Sequence, residues 1–509
     1  MLVSRNAAQL FDDTLTLPNF DPCTDTPNEI IHTILLGIVE YVWFDVYQVM
    51  LKNNRLDIFG SRLGSTNQTG LSIPSIRAGY IIKYGKSLVG RHYKTLIQTA
   101  GFHLQDLISE SNFTLWKATA RLASLVWFSE INDMDLYLSH LKTAIANVMD
   151  LFGFLEPKRI LDKVKIHLLC HLPEDIIRFG PAVGFSTERF ESYNAVFRKS
   201  SIYSNRLNPS RDIAYAHSSQ ERMKYMLLGG FLNGATSEWK RAGYCVLNCI
   251  KHSPLLTTYG YREPFNPSPS LDQLSFPPNH HCQFKKRSVV SLNGNKCQVG
   301  SWVFAKGSNE NTVVGVIHQI LAPENSTRAF VILDSYEMLS VVDNVMELPQ
   351  LSRQSALVIL PSNKILFDFN TQPQEDRFLV NLHAIHNAHL LHSIIPRNLT
   401  AVKPAFVDRY EAHCSMASRL RRAQGERRME QQAVRGARSQ SRSRSQSQSG
   451  QDSRELSPFV VDPSPPSFPM DPPRRPPSRS VSHTRLSSAL ASQLPYPSTD
   501  QYNRRQSHG

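Results

Sequence analysis

The chain has 509 residues, room for two or three domains, and 41% of them are apolar, enough for a real core in part of it. The formal charge of +13 is unevenly spread: residues 418–509 hold 16 arginines, no lysine and seven acidic residues, so +9 of it lies in this tail. Seven scattered cysteines argue against a disulfide scaffold and for a reducing compartment. The first fifteen residues lack the continuous apolar core of a signal peptide.

In chain order, the run "IIHTILLGIVEYVWF" is interrupted by His32 and Glu40 and reads as too short to span a bilayer, so no membrane association is expected. Its stripe of Ile31, Ile34, Leu35, Ile38, Val42 and Val46 predicts a helix over 28–50. Further helical patterns cover about 74–109, 113–128, 133–152, 157–178, 187–200 and 211–230, which makes residues 1–262 a mainly α domain. Residues 263–283 are a proline-rich linker. Residues 284–400 follow as a small all-β, barrel-like module with a trailing helix. Its expected core is Trp302, Val303, Phe304, Val314, Val316, Phe330, Ile332 and Leu333, and the module is expected to fold independently of the helices. Residues 401–438 are a basic helix-former. Residues 439–509, rich in Arg, Ser and Pro, have too little apolar surface to order and are expected to be disordered.

The stretch "HLPEDIIRFGPAVGFSTERFESYN" punctuates a helical pattern at Phe179-Gly180-Pro181 and restarts it at Ser186. Glu188 and Glu191 then share one face of a helix start. Carboxylates projected from that position suit a Mg²⁺-dependent phosphoryl-transfer site; equally, they merely favour the helix dipole. His383, His386, His389 and His392 recur every third residue, and His167 and His171 lie one turn apart around Cys170. The first set has no clustered cysteine or acidic partner in sequence, and the second lacks the glutamate of an HExxH zinc motif. Cys245 and Cys249, also one turn apart, read as a helix interior.

Several blocks carry a resemblance: "HLLCHLPEDIIRFGPAVGFSTERFESYN", "FDPCTDTPNEIIHTILLGIVEYVWFD" and "FLVNLHAIHNAHLLHSIIPRNLT". Over roughly residues 18–400 the chain resembles CACTA-type DDE transposases, in particular fungal (basidiomycete) elements of the Plavaka group. The resemblance implies a partial RNase H-like core with a helical insertion, in which two aspartates and a glutamate hold two metal ions. Carried over, Asp25 is the candidate second carboxylate and Glu188 the third, both as catalytic residues and as Mg ligands. The first aspartate of the pattern should lie on a strand well before Asp25. The first twenty residues offer Asp12 and Asp13 but no series of strands, so the chain is expected to begin inside the nuclease fold and to be catalytically incomplete.

Clusters of cations suit phosphate neutralisation: Lys83, Lys86, Arg91 and Lys94 with interleaved tyrosines, then Arg198, Lys199, Arg206 and Arg211, then Arg421, Arg422, Arg427 and Arg428. A solvated helix face is the bland alternative for the first two. The resulting expectation is a transposase-derived nuclear protein with affinity for DNA or RNA, its Arg/Ser tail also suited to nuclear protein partners. The alternatives are an active Mg-dependent DDE transposase and a non-enzymatic, chromatin-associated interaction module.

Overall fold

The computed structural model describes residues 18–22, 24–202, 204, 207–227, 229–233, 239–241, 243, 284–285, 288–307, 310–322 and 329–449. The expected linker 263–283, Asp12, Asp13, Cys245, Cys249 and Arg206 lie outside them. The architecture is a mainly helical N-terminal region followed by an antiparallel β-sheet module.

A π-helix, Ile31–Val39, runs directly into α1, Glu40–Lys52. Together they make 22 residues, longer than the fifteen-residue run suggested and long and apolar enough to cross a membrane by length and composition. Here, however, Ile34, Ile38, Val42, Trp43, Val46 and Met50 are buried in the protein core. The wider π turn kinks at Leu36, and the Lys165 ammonium donates to the Leu36 carbonyl at 2.6 Å, supplying the partner that the irregular turn withholds.

Short helices α2 (Leu56–Gly64), α3 (Ala78–Lys83), α4 (Gly90–Thr99) and α5 (Gly101–Leu104) follow. The long pair α6 (Glu110–Val126) and α7 (Met134–Leu155) comes next, with N-termini capped by Ser109 and Asp133. α8 (Pro157–Asp162), α9 (Val164–Leu168) and α10 (Leu172–Phe179) lead to the break. There Gly180 takes φ +84°, a left-handed conformation suited to glycine, and Pro181 prevents the helix from resuming at once. The helices α11 (Glu188–Ile202) and α12 (Pro209–Leu227) pack on each other. Two short strands, β1 (Phe231–Asn233) and β2 (Trp239–Arg241), pair antiparallel.

The module comprises β3 (Phe284–Lys285), β4 (Ser288–Val290), β5 (Lys296–Gln298), β6 (Trp302–Lys306), β7 (Thr312–Ala322), β8 (Phe330–Val342), β9 (Pro349–Pro361), β10 (Ile365–Phe369), β11 (Thr371–Gln374) and β12 (Arg377–Val380). The main sheet runs β10-β6-β7-β8-β9-β12-β11, with β3 on β7 and β4–β5 as a separate hairpin. The strands at its two ends, β10 and β11, are separated in the chain by Asn370 alone, so the sheet's order returns on itself through one residue. α13 (Ala388–Ile394), α14 (Arg397–Thr400) and α15 (Arg409–Ser449) complete the described chain. Helix α15 covers 439–449 of the stretch 439–509 where disorder was expected; residues 450–509 lie outside the described residues. Arginine and glutamine are good helix formers, and Met416 and Ala423, seven positions apart, bury one face of its first half.

Strand alternation divides the sheet's residues between two cores. Trp302, Phe304, Val314, Phe367 and Phe369 join the large core built by Trp43, Trp116, Leu122 and Phe152 of the helices. Val303, Ala305, Ile317, Val331 and Leu333 form a separate, smaller one. Of the expected core, Trp302, Val303, Phe304, Val314 and Leu333 are buried. Val316, Phe330 and Ile332 are only half-buried, because Val331 and Leu333 take the inward parity in β8.

The expectation of an independent module does not survive the shared core. Buried amides reinforce the join. Asn370 Nδ2 donates to the Asn67 and Thr69 carbonyls, both at 2.8 Å, while Asn370 Oδ1 accepts from Gln372 Nε2 at 3.0 Å and Asn381 Nδ2 at 2.8 Å. Asn381 Nδ2 also donates to the Gln98 carbonyl at 3.0 Å, and the Gln98 Oε1 accepts from Ile385 N at 2.9 Å. At Gly70 a Cβ would lie 2.3 Å from the Phe369 carbonyl oxygen, and φ is +78°. Replacing Asn370 by alanine strands several of these groups and should cost about 2–4 kcal/mol. Circular dichroism should show one thermal transition at a lower midpoint, and residues 284–365 expressed alone should remain unfolded; two separate transitions would contradict the shared core.

Candidate functional site

The segment before the π-helix is clamped by the two helices that flank the Gly180 break. Asn28 donates from its backbone N (3.0 Å) and Nδ2 (2.9 Å) to Asp175 Oδ2 on α10. Asp25 pairs through Oδ1 with Arg178 of the same helix, and its Oδ2 accepts from Asp21 N at 2.7 Å. The backbone bond from Asp21, with the Arg178 pairing, holds the Asp25 carboxyl below its ordinary range.

Glu29 is the hub. It accepts from Ile31 N, His32 N and His32 Nδ1, each at 2.8 Å, and from Thr187 N at 2.9 Å, thereby capping two helix starts at once. Burial works against its charge, yet the N–H groups of His32, Thr187 and Ile31 hold its carboxyl below its ordinary value of 4.5. His32 Nε2 reaches Glu191 Oε1 at 3.2 Å, so the imidazole bridges two carboxylates. Glu188 is exposed and pairs at 2.7 Å with Lys94 of α4, whose ammonium also lies 5.5 Å from the Trp127 ring centroid.

The two candidate acids are thus each matched to a separate cation, Arg178 or Lys94. Among the described residues no group of three or more His, Cys, Asp or Glu side chains is placed to share a metal ion. Asp25 has both oxygens engaged, so the arrangement does not fit Mg²⁺ held jointly with Glu188, and no catalytic step is derived through it. Glu29 and His32 were not singled out from sequence. The available signal was a Glu and a His three apart at the start of an apolar helix.

The histidine run disperses. His383 is buried and lies against Phe102, His386 approaches Asp368 at 3.6 Å, His389 meets Ser129 at 3.2 Å, and His392 packs edge-on to Phe128. His167 and His171 contact each other at 3.3 Å between their Nε2 atoms.

Among the cations, Lys83, Lys86 and Arg91 are exposed, whereas Lys94 is the partner of Glu188. Arg198, Lys199 and Arg211 are exposed on α11 and α12, with Arg211 over the ring of Tyr215 at 5.4 Å. Phe190 and Tyr215 on these helices are themselves exposed. On α15, Arg421, Arg422 and Arg428 face solvent. Arg427 is half-buried: it holds Asp162 at 3.1 Å and the Leu161 carbonyl at 2.7 Å, anchoring the helix.

Residues 262–372 match the model of a domain family described as a domain of unknown function (DUF8590). The match begins outside the described residues and takes in β3 to β10. No curated protein and no solved structure matches the chain.

Glu29→Gln removes the charge that its donors favour and should cost about 1–2 kcal/mol at neutral pH. Because the carboxyl is held low, this stabilisation is full above the ordinary glutamate range and is lost as pH falls through the lowered value. Denaturant unfolding from pH 7 to pH 3 should therefore show the gap between wild type and variant closing on the acid side. A gap that persists unchanged would mean that Glu29 stabilises by shape rather than by charge.

Proposed function

We propose that the chain is a transposase-derived, nucleic-acid-binding protein of the nucleus that does not itself cut strands. The observation that carries the binding reading is the exposed face of α11 and α12. There Arg198, Lys199 and Arg211 are exposed with no acidic partner among the described residues; Arg211 lies over the exposed Tyr215 ring, and Phe190 is exposed on the same helix as Arg198 and Lys199. Cations that neutralise phosphates and rings on which bases stack are the two parts a single-stranded nucleic-acid surface needs. Arg421, Arg422 and Arg428 on α15 extend the basic surface, and serine phosphorylation in the Arg/Ser stretch would weaken it.

The transposase descent rests on the sequence blocks that contain Asp25 and Glu188. In this reading the helical half corresponds to the helical insertion and final helix of an RNase H-like nuclease. Pairing of the two carboxylates with Arg178 and Lys94 supports the absence of cutting. The competing reading, an active Mg-dependent DDE enzyme, predicts strand cleavage that Asp25→Asn and Glu188→Gln abolish.

Fluorescence anisotropy with labelled single-stranded DNA, duplex DNA and RNA over a salt series tests the proposal. Replacing Arg198, Lys199 and Arg211 together by alanine should lower affinity about tenfold and reduce the salt slope by about two to three. Unchanged affinity and slope would remove this face as the binding surface. Truncation after residue 434 keeps the docked half of α15 and reports separately on the Arg/Ser stretch.

A further inference from the structure

A cavity of about 210 Å³ lies beneath the segment 401–405, between α6, α7 and the turn that joins β8 to β9. Helix α6 lines it with Thr114, Lys117 and Arg121, spaced along one helical face. Three cations border it, Lys117, Arg121 and Lys403, against one carboxylate, Glu347. That carboxylate is engaged, since Lys117 Nζ donates to Glu347 Oε1 at 2.6 Å and to the Val345 carbonyl at 2.8 Å.

Arg121 has no such partner among the described residues. Its Nη2 donates to the Thr400 carbonyl, while its Nη1 is shielded from solvent and has no acceptor. His383, 3% exposed and lining the same cavity, has a shielded Nδ1 that is likewise unpartnered. Arg121 is half-buried as a residue, but a guanidinium nitrogen shielded from water without an acceptor is costly. Burial lowers the Arg121 guanidinium only to about 10, so it stays charged at neutral pH. Burial, with the charges of Arg121 and Lys117, lowers His383 to about 3, so its ring is neutral and offers a donor in the Nδ1–H tautomer. Water satisfies a donor but brings no charge. An acceptor-rich anion supplies both.

We propose that this cavity is a binding site for a small tetrahedral oxyanion, inorganic phosphate or the head of a phosphate monoester, held by Arg121 with His383 and Lys403. The site is distinct from the nucleic-acid face on α11 and α12, and neither requires the other.

The test uses the full chain, with inorganic phosphate as the probe and chloride at matched ionic strength as the control. Phosphate should raise the thermal midpoint saturably and broaden its own ³¹P resonance. Phenyl phosphate distinguishes a monoester head from the free ion, and acetate should have little effect. Arg121→Met should weaken phosphate binding about tenfold or more. In phosphate-free buffer it should leave the midpoint about equal, because the lost bond to the Thr400 carbonyl is offset by removal of a shielded, unsatisfied donor. Lys403→Ala, at an exposed position, should weaken binding about two- to threefold and serves as the readout if the Arg121 variant does not fold. Neither variant should change nucleic-acid affinity. A wild type without a saturable phosphate response, or a response kept in full by both variants, would overturn the site. A response lost only on removal of residues 435–509 would place the anion on the arginine-rich tail instead.

Discussion

The whole arrangement depends on a set of side-chain amides where the sheet meets the helices. Asn370, Gln372 and Asn381 are buried to within a few percent, and each finds its donors and acceptors on backbone or on another amide. In a low-dielectric interior such a network is either satisfied throughout or very expensive. Satisfied, it fixes one geometry, because a shift between the halves would break several bonds at once. A core of Trp, Phe and Leu side chains alone would tolerate sliding. The amides and the close approach at Gly70 do not.

Charge is handled in two ways. Around the Gly180 break, Asp25, Asp175, Glu29, Glu188 and Glu191 are all engaged by donors or cations from distant parts of the chain, so the acids that look most reactive in sequence work as clamps. On α11 and α12 the arginines and rings are left open. Arg121 belongs to neither pattern: it is half-buried, and its shielded Nη1 meets no acceptor among the described residues.

The long apolar stripes were legible. Helices at 28–50, 113–128 and 133–152 follow from periodicity, and Trp302 and Phe304 could be assigned inward because β-structure alternates. Within the continuous run from Phe330 to Leu333 parity carried no signal, since every residue is apolar, and the partner strands chose it. The union of the two halves was not legible at all. "STNQTG", "DFNTQ" and "VNLHA" have the composition of turns, and nothing local distinguishes an amide facing solvent from one facing another amide. Glu188 could be picked out as an acid at a helix start, but its partner Lys94 is 94 positions away. Lone residues at such separations are joined by packing, not by pattern.

The single residue between β10 and β11 has a consequence for synthesis. Asn370 links the sheet's two end strands, yet the carbonyls that receive it belong to Asn67 and Thr69, more than 300 positions earlier. A chain emerging N-terminus first displays the apolar faces of α1, α6 and α7 long before the strands that cover them exist. Long-range closure of this kind is slow and leaves adhesive surface exposed while it waits. Yield of the intact protein should therefore respond to translation speed and to chaperones that hold helical intermediates more than to the stability of the finished fold.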